Sequence, residues 1–513
     1  MLSRVYTAQR VGLSADLIDV ETDIGKGLHS FSIVGLGDKA VDEARDRINA
    51  AIKNSGFKAP QKGNKKIIVS LAPADVKKEG TAFDLAIALG YLLASDEVKF
   101  EPQEKLFLGE LALDGRLRPV KGILLLAERA KRNGFKELFI PTDNAKEASL
   151  INDLAIYPVA TLQEIIEHLD TKPSETKKIK KMLTAVEPTT INPEQVIAPT
   201  DFAEVKGQAT AKRGLEIAAA GGHNVAMSGP PGTGKTMLAK AFTGILPSLP
   251  LVETIEVTGI HSAAGALKEE LIIHPPYRSP HHTSSYVSLV GGGAWPKPGE
   301  ITLAHRGVLF LDEFPEFEKR VIESLRQPLE DKVISVARAK SSVTFPANFI
   351  LIAAMNPCPC GYKGHKEREC ICSSATLARY ERKISGPIID RIDVWLNVPQ
   401  VSPEKLSQLE DGESSASVRE RVMKARNIQL KRFRAAGLNI KTNSEMTVKD
   451  LRHFAPLTPE LTKILNDAAT RLDLSARAYH RIIKLARTIA DLAGADNIAE
   501  PHLLEALQYR PRK

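Results

Sequence analysis

Residues 229–236 carry the most defined chemistry in this 513-residue chain. They read Gly229, Pro230, Pro231, Gly232, Thr233, Gly234, Lys235, Thr236, with Met237 following. The order satisfies G-x-x-x-x-G-K-[ST], after the strand-like NVAMS and before the helix-like MLAKAFTGIL. Glycines at these places let backbone N–H groups curl around phosphate oxygens. Lys235 could reach the β- and γ-phosphates of ATP, Thr236 could ligate Mg²⁺, and the helix N-terminus favours negative charge. The complement is GVLFLDEF (307–314). Its apolar residues make a buried strand, and Asp312 and Glu313 fall at the C-terminal end, where open α/β sheets bind ligands. Asp312 would orient Mg²⁺ and its waters, and Glu313 would polarise an attacking water, pointing to hydrolysis. A third run, NFILIAAMN (348–356), ends in Asn356, either a water-positioning amide or an ordinary strand-end asparagine.

A second constellation is CPCGYKGHKERECIC. All four cysteines of the chain lie in it, as Cys358-x-Cys360 and Cys370-x-Cys372 with nine residues between the pairs. Four thiolates could bind Zn²⁺ tetrahedrally, with His365 able to replace one of them; the alternative is four reduced thiols in a loop. A tetrahedral site of this kind leaves no open position, so its role would be structural. A scattered disulfide framework is excluded.

These residues need elements to position them. The predicted class is α/β: a P-loop core with a parallel sheet, preceded by an α+β domain and followed by an all-α region. Runs of apolar residues bounded by Gly and Asn in 199–400 indicate strands buried on both faces, as in a parallel sheet. In 1–168, KKIIVSLAP reads as a strand and AFDLAIALGYLLAS as a buried helix. KLFLGELALDGRLRP reads as two strands turning at Asp114-Gly115. Residues 169–198 are polar and Pro-containing, a linker. Residues 401–513 read as helices, one opening at Thr458 and Pro459, another after Ser475 and ending near Gly494.

Length alone suggests three to five domains. Lys plus Arg is 70 against 62 Asp plus Glu, a mild excess that permits nucleic acid as a partner without requiring it. The longest apolar stretch, Ala82–Ala94, is interrupted by Asp84 and Gly90 and falls short of the ~20 residues a bilayer-spanning helix needs. With no signal-peptide pattern at the N-terminus, the expected location is cytoplasmic and no membrane partner is expected.

The motifs GGHNVAMSGPPGTGKTMLAKAF, YRSPHHTSSYVSLVGGG, KPGEITLAHRGVLFLDEFPEF, LRQPLEDKVISVARA, AMNPCPCGYKGH and SGPIIDRIDVWLNVP together resemble the YifB/ComM family of magnesium-chelatase-like AAA+ ATPases. The resemblance extends over nearly the whole chain. It implies that Arg391, in IIDRID, is an arginine finger reaching the ATP of a neighbouring subunit; an ion pair with Asp390 or Asp393 is the structural alternative. It implies a sensor-2 role for Arg477 on the first turn of a lid helix, with Arg481 as the other bearer. A finger acting in trans demands a homo-oligomer, by resemblance a hexameric ring.

Residues 1–168 resemble the Lon-protease-type domain, also found attached to the bacterial RadA motor. The protease needs a Ser nucleophile and a Lys base. Here Ala82 and Leu124 occupy those positions, with Thr81 and Lys121 displaced from them, so proteolysis is not expected. Two insertions, 258–300 and the hairpin-like 331–346, correspond by resemblance to pore elements. Lys297, Arg338 and Lys340 could contact DNA phosphates there, or be solvated; Trp295 could stack on a base or pack. The resulting expectation is an ATP-hydrolysing ring motor on single-stranded or branched DNA, of branch-migration or helicase type, in recombination or natural transformation. The alternative is a magnesium-chelatase-like AAA+ subunit driving metal insertion or protein remodelling.

Overall fold

The computed structural model describes residues 2–11, 14–61, 64–74, 77–78, 80–172, 182–188, 200–267, 271–292, 297–337, 342–364, 368–401 and 412–511. Contacts divide the chain into two compact units, Met1–Ile191 with Ile255–Leu271, and Asn192–Thr254 with Ile272–Lys513. No helix among the described residues is long and apolar enough to cross a membrane.

The first unit is built on a mixed seven-stranded sheet: β1 Leu2–Val11, β2 Ser14–Lys26, β3 Ser30–Val34, β4 Lys65–Ala72, β5 Lys105–Phe107, β6 Glu137–Pro141 and β7 Ala155–Val159. The spatial order is β3-β4-β2-β1-β5-β6-β7. β2 runs antiparallel to β1 and β4, and the other neighbours are parallel. The helix Asp84–Ala94 is buried on nearly every face, as its composition demands. Its one carboxylate, Asp84, accepts from Arg47 Nε at 2.8 Å and Arg47 Nη2 at 3.1 Å. Burial pushes the Asp84 carboxyl up to about 6, against the pull of Arg47.

The hairpin expected across 105–119 is shorter than its apolar pattern. Lys105–Phe107 joins the large sheet, and only Glu110–Leu111 and Leu117–Arg118 pair around the turn, where Gly115 takes φ 85°. Leu124 is fully buried in the helix Ile123–Arg132. Ile255–Leu271, which overlaps the start of the insertion expected at 258–300, groups with this unit. Gly122 N donates to Ser262 Oγ at 3.1 Å, and a Cβ on Gly259 would stand 3.2 Å from Leu125 Cδ2, so a small residue there permits close helix approach.

The second unit holds the parallel sheet expected for 199–400: β8 Val225–Ser228, β9 Tyr277–Arg278, β10 Val308–Leu311, β11 Ile350–Met355 and β12 Val394–Asn397, in the order β9-β10-β11-β8-β12. Every neighbouring pair is parallel. All four β10 side chains are fully buried, each worth about 1.5–3 kcal/mol of transfer free energy. The helices of 412–511 do not enclose a core of their own. Val422, Phe433, Ile489 and Leu503 share one cluster with Leu215, Val225, Phe242 and Leu396 of the sheet layers. These helices bury their apolar stripe against the sheet-flanking helices. Thr458 and Ser475 cap their helices by accepting from Leu461 N and Ala478 N. An antiparallel hairpin, Val333–Ala337 with Ser342–Pro346, stands between β10 and β11.

Candidate nucleotide site

β8 ends at Ser228 and the helix Lys235–Ile245 begins after six intervening residues, so 229–234 must turn sharply at the C-terminal edge of the sheet. Two conformational demands fall on glycine. A Cβ on Gly229 would lie 2.1 Å from Val398 O, and Gly234 takes φ 87° as the residue capping the helix. The helix N-terminus therefore faces the loop it closes, the geometry that favours a phosphate.

Lys235 is 8% exposed. Its ammonium donates to Gly229 O at 2.7 Å, Pro230 O at 2.8 Å and Asn356 Oδ1 at 3.3 Å. Burial lowers its pKa, opposed by Asp312. A buried cation satisfied mainly by neutral oxygens gains from an anion placed beside it. Thr236 Oγ1 donates to Asp312 Oδ2 at 2.8 Å, so the hydroxyl and carboxylate expected on Mg²⁺ are already side by side. Two hard oxygen donors beside a phosphate loop suit that ion, which keeps several waters and takes few protein ligands. The chain's residues thus fit Mg-nucleotide.

Glu313 adopts φ 50° and ψ 42°, a left-handed conformation uncommon for a residue with a Cβ. Asp312 Oδ1 accepts from Glu313 N at 3.0 Å, and the turn directs the Glu313 carboxylate to His282 Nδ1 at 3.0 Å. His282 packs against His281 with ring centroids 4.2 Å apart and ring planes tilted by 33°, and meets Phe317 edge-on. Sequence reasoning assigned His282 nothing. Its signal was the polar run PHHTSS, which no spacing rule connects to a carboxylate beyond it. Asn356 follows β11, one residue past the strand end, and its own carbonyl accepts from Tyr380 Oη at 3.0 Å.

The two arginines assigned by resemblance converge. Arg391, 8% exposed at its side chain, ion-pairs with Glu330 and donates from Nη1 to Pro387 O at 2.8 Å. Arg477 reaches the other oxygen of Glu330 at 3.2 Å and stays more than half exposed. The ion pair considered for Arg391 therefore forms with Glu330 rather than Asp390 or Asp393. Asp393 belongs to Arg481 and lies 3.7 Å from His223 Nδ1. Burial opposes its charge, but Arg481 and His223 outweigh that and hold its carboxyl below the usual range. Arg481 is thereby committed to an internal network, whereas Arg477 presents its guanidinium outward from the first helical turn.

The cysteines do converge: all four Sγ atoms lie within 4.8 Å of one another. Cys358 Sγ is 3.3 Å from Cys360 Sγ and 3.6 Å from Cys370 Sγ. The Tyr362 backbone N–H is the main influence holding the Cys360 thiol down to about 6. His365, Trp295, Arg338 and Lys340 lie outside the described residues. Lys297 is exposed on a two-residue strand paired with Gly291–Gly292. A cavity of about 490 Å³, lined by Leu246, Glu253, Arg306, Arg426 and Lys441 among others, includes none of the phosphate-loop residues. In the first unit, Thr81 Oγ1 donates to Glu110, Ala82 carries no nucleophile, and Lys121 is exposed.

Family profiles described as magnesium chelatase subunit ChlI, subunit ChlI of Mg-chelatase and the ChlI C-terminal region match residues 201–406, 20–144 and 412–510. Competence protein ComM of Haemophilus influenzae is 44% identical over 522 residues, covering 99% of this chain and 97% of that protein. Uncharacterized protein YifB of Salmonella typhimurium is 42% identical over 513 residues, with 99% and 97% covered. A shorter match, 37% identical over 103 residues, relates 20% of this chain to 22% of DNA repair protein RadA of Aquifex aeolicus.

Proposed function

The chain belongs to the ComM/YifB family of magnesium-chelatase-like proteins, and we propose that it is an ATP-hydrolysing AAA+ ring motor acting on single-stranded or branched DNA. The observation that carries the hydrolytic half is the placement, at one sheet edge, of Lys235 in its loop, Thr236 on Asp312, and Glu313 on His282. In this reading residues 229–237 hold the nucleotide, and Thr236 and Asp312 hold Mg²⁺, which neutralises phosphate charge. Glu313 takes the proton from the attacking water while His282 keeps its carboxylate aimed. Asn356 orients that water. Arg391 leaves Glu330 to serve a neighbour's γ-phosphate, and Arg477 contacts nucleotide from the lid. That division of labour requires a homo-oligomer, a hexamer by family resemblance. The four cysteines hold Zn²⁺.

Relatives named for competence and for DNA repair support DNA as the substrate; in this reading Lys297, Arg338 and Lys340 contact its phosphates, the work is branch migration or unwinding, and the place is the cytoplasm. Ala82 and Leu124 at the nucleophile and base positions argue against proteolysis. The chelatase description of three profiles favours a second reading, a subunit driving metal insertion. That description extends to residues 20–144.

Steady-state ATPase of the purified chain separates the two readings. It is measured alone, with single-stranded DNA, with a four-way junction, and with a porphyrin plus chelatase partner subunits. Stimulation by DNA that weakens as salt rises is expected. A response to the porphyrin mixture with none to DNA overturns the DNA motor.

A further inference from the structure

Tetrahedral zinc on four sulfurs at ~2.3 Å requires Sγ–Sγ separations of about 3.8 Å. The separations Cys358–Cys360 (3.3 Å), Cys358–Cys370 (3.6 Å) and Cys360–Cys370 (3.6 Å), with Cys372 inside the same 4.8 Å group, match that cage. Lys363 N also donates to Cys358 Sγ at 3.3 Å, the kind of outer contact that steadies a thiolate ligand. The position of this cage is as informative as its shape. Cys358 lies two residues after Asn356, and Cys372 immediately precedes Ser373, which caps the helix Ser374–Glu381. That helix carries Tyr380 back to the start of the loop, where its hydroxyl donates to Asn356 O at 3.0 Å. Between the cysteine pairs, Gly361 abuts the phosphate loop. It takes φ 86°, and a Cβ there would stand 2.7 Å from Pro231 Cδ.

We infer that the four-cysteine metal site is a strut of the nucleotide site: it ties Cys358 and Cys360 to Cys370 and Cys372, next to Pro231 and Asn356, so that zinc occupancy sets the rate of ATP hydrolysis rather than the affinity for nucleotide. Without the ion, only weak S–H···S contacts hold the four thiols together. The loop then loses the closure that keeps Gly361 on Pro231 and Tyr380 on Asn356. Lys235 retains its own loop contacts, so nucleotide still binds. The Asn356 amide, whose oxygen meets Lys235 Nζ at 3.3 Å, loses its backing. This inference rests on the ATPase and zinc readings above.

The test uses the full-length chain purified under reducing conditions. Metal content is measured by plasma mass spectrometry, and the site is reloaded with Co²⁺ to look for thiolate charge-transfer bands. One zinc per chain and a tetrahedral cobalt spectrum are expected. The double variant Cys370→Ser, Cys372→Ser should lose both and bind a fluorescent ATP analogue with little change in Kd. Its kcat should fall by roughly 10-fold or more. Tyr380→Phe should keep its zinc and its fold yet lower kcat with unchanged Kd, which a site serving loop stability alone would not do. A wild-type chain that takes up neither zinc nor cobalt overturns the metal site and the strut with it. A zinc-loaded wild type without ATPase overturns the hydrolytic reading and the strut together. Zinc-bound, active wild type with Tyr380→Phe and the double cysteine variant at the same kcat overturns the strut and leaves the other two readings standing.

Discussion

Asp84 and Lys235 are both buried charges at the start of a helix, one in each unit. Asp84 has its oxygens taken by Arg47 and by Leu111 N at 3.2 Å, and the helix above it is apolar on every side. Lys235 meets two carbonyls and an amide oxygen, beside a glycine loop and next to a hydroxyl–carboxylate pair. In the first unit the charge is neutralised within the fold and is part of its packing. In the second it is satisfied by neutral groups that a phosphate can displace. A buried charge points to function when its partners are weaker than the ligand it could bind, and to architecture when they are not.

Substitutions in each unit can break or sharpen that contrast. Arg391→Ala carries the largest expected effect, because a finger guanidinium is worth ~10³–10⁵ in rate. Turnover should collapse with nucleotide binding retained, and mixing with Lys235→Ala subunits should restore part of it. Mixed rings that assemble without recovering ATPase would contradict a role in trans and leave Arg391 as the ion-pair partner of Glu330. Glu313→Gln follows, with an expected loss of ~10²–10⁴ in kcat and ATP trapped on the protein; single-turnover hydrolysis at the wild-type rate would remove Glu313 as the base. In the first unit, Leu124→Lys places an unpaired ammonium where the side chain is fully buried, and should cost more than about 3 kcal/mol in chemical denaturation. Unchanged stability would mean that the unit can host a base at that position after all. The smallest effect is expected for His282→Ala. A residue that only aims Glu313 should lower kcat by roughly 10-fold, shift its pH profile and leave KM for ATP in place. A change in KM alone would make His282 a binding residue.

Sequence alone reached the parts whose chemistry is contiguous. A phosphate loop works through successive backbone N–H groups, so glycines and a Lys-Thr pair must stand at fixed offsets and can be read in order. The same holds for the apolar strand that ends in Asp312 and Glu313, for the N-caps at Thr458 and Ser475, and for the paired Cys-x-Cys spacing. The parallel sheet of 199–400 was legible because strands buried on both faces lack polar alternation. The hairpin across 105–119 was only half legible: its turn was plain at Gly115, but apolar pattern could not tell a hairpin strand from an interior strand of the large sheet.

Tertiary structure decided whatever depends on the chain returning to itself. Glu330 meets Arg391 61 positions away and Arg477 147 positions away, and nothing local to LRQPLED marks it as their shared acceptor. His282 finds Glu313, and Tyr380 on its helix finds the carbonyl of Asn356, through approaches that no local spacing encodes. Arg477 and Arg481 looked interchangeable one helical turn apart until Asp393 claimed the second. The helical tail, readable as helices from caps and periodicity, gave no sign that its apolar faces complete the core of the sheet rather than one of their own. Local backbone chemistry is written at short range, because hydrogen bonding and steric limits act between neighbours. Side-chain partnership is settled by packing, which only the folded chain brings about.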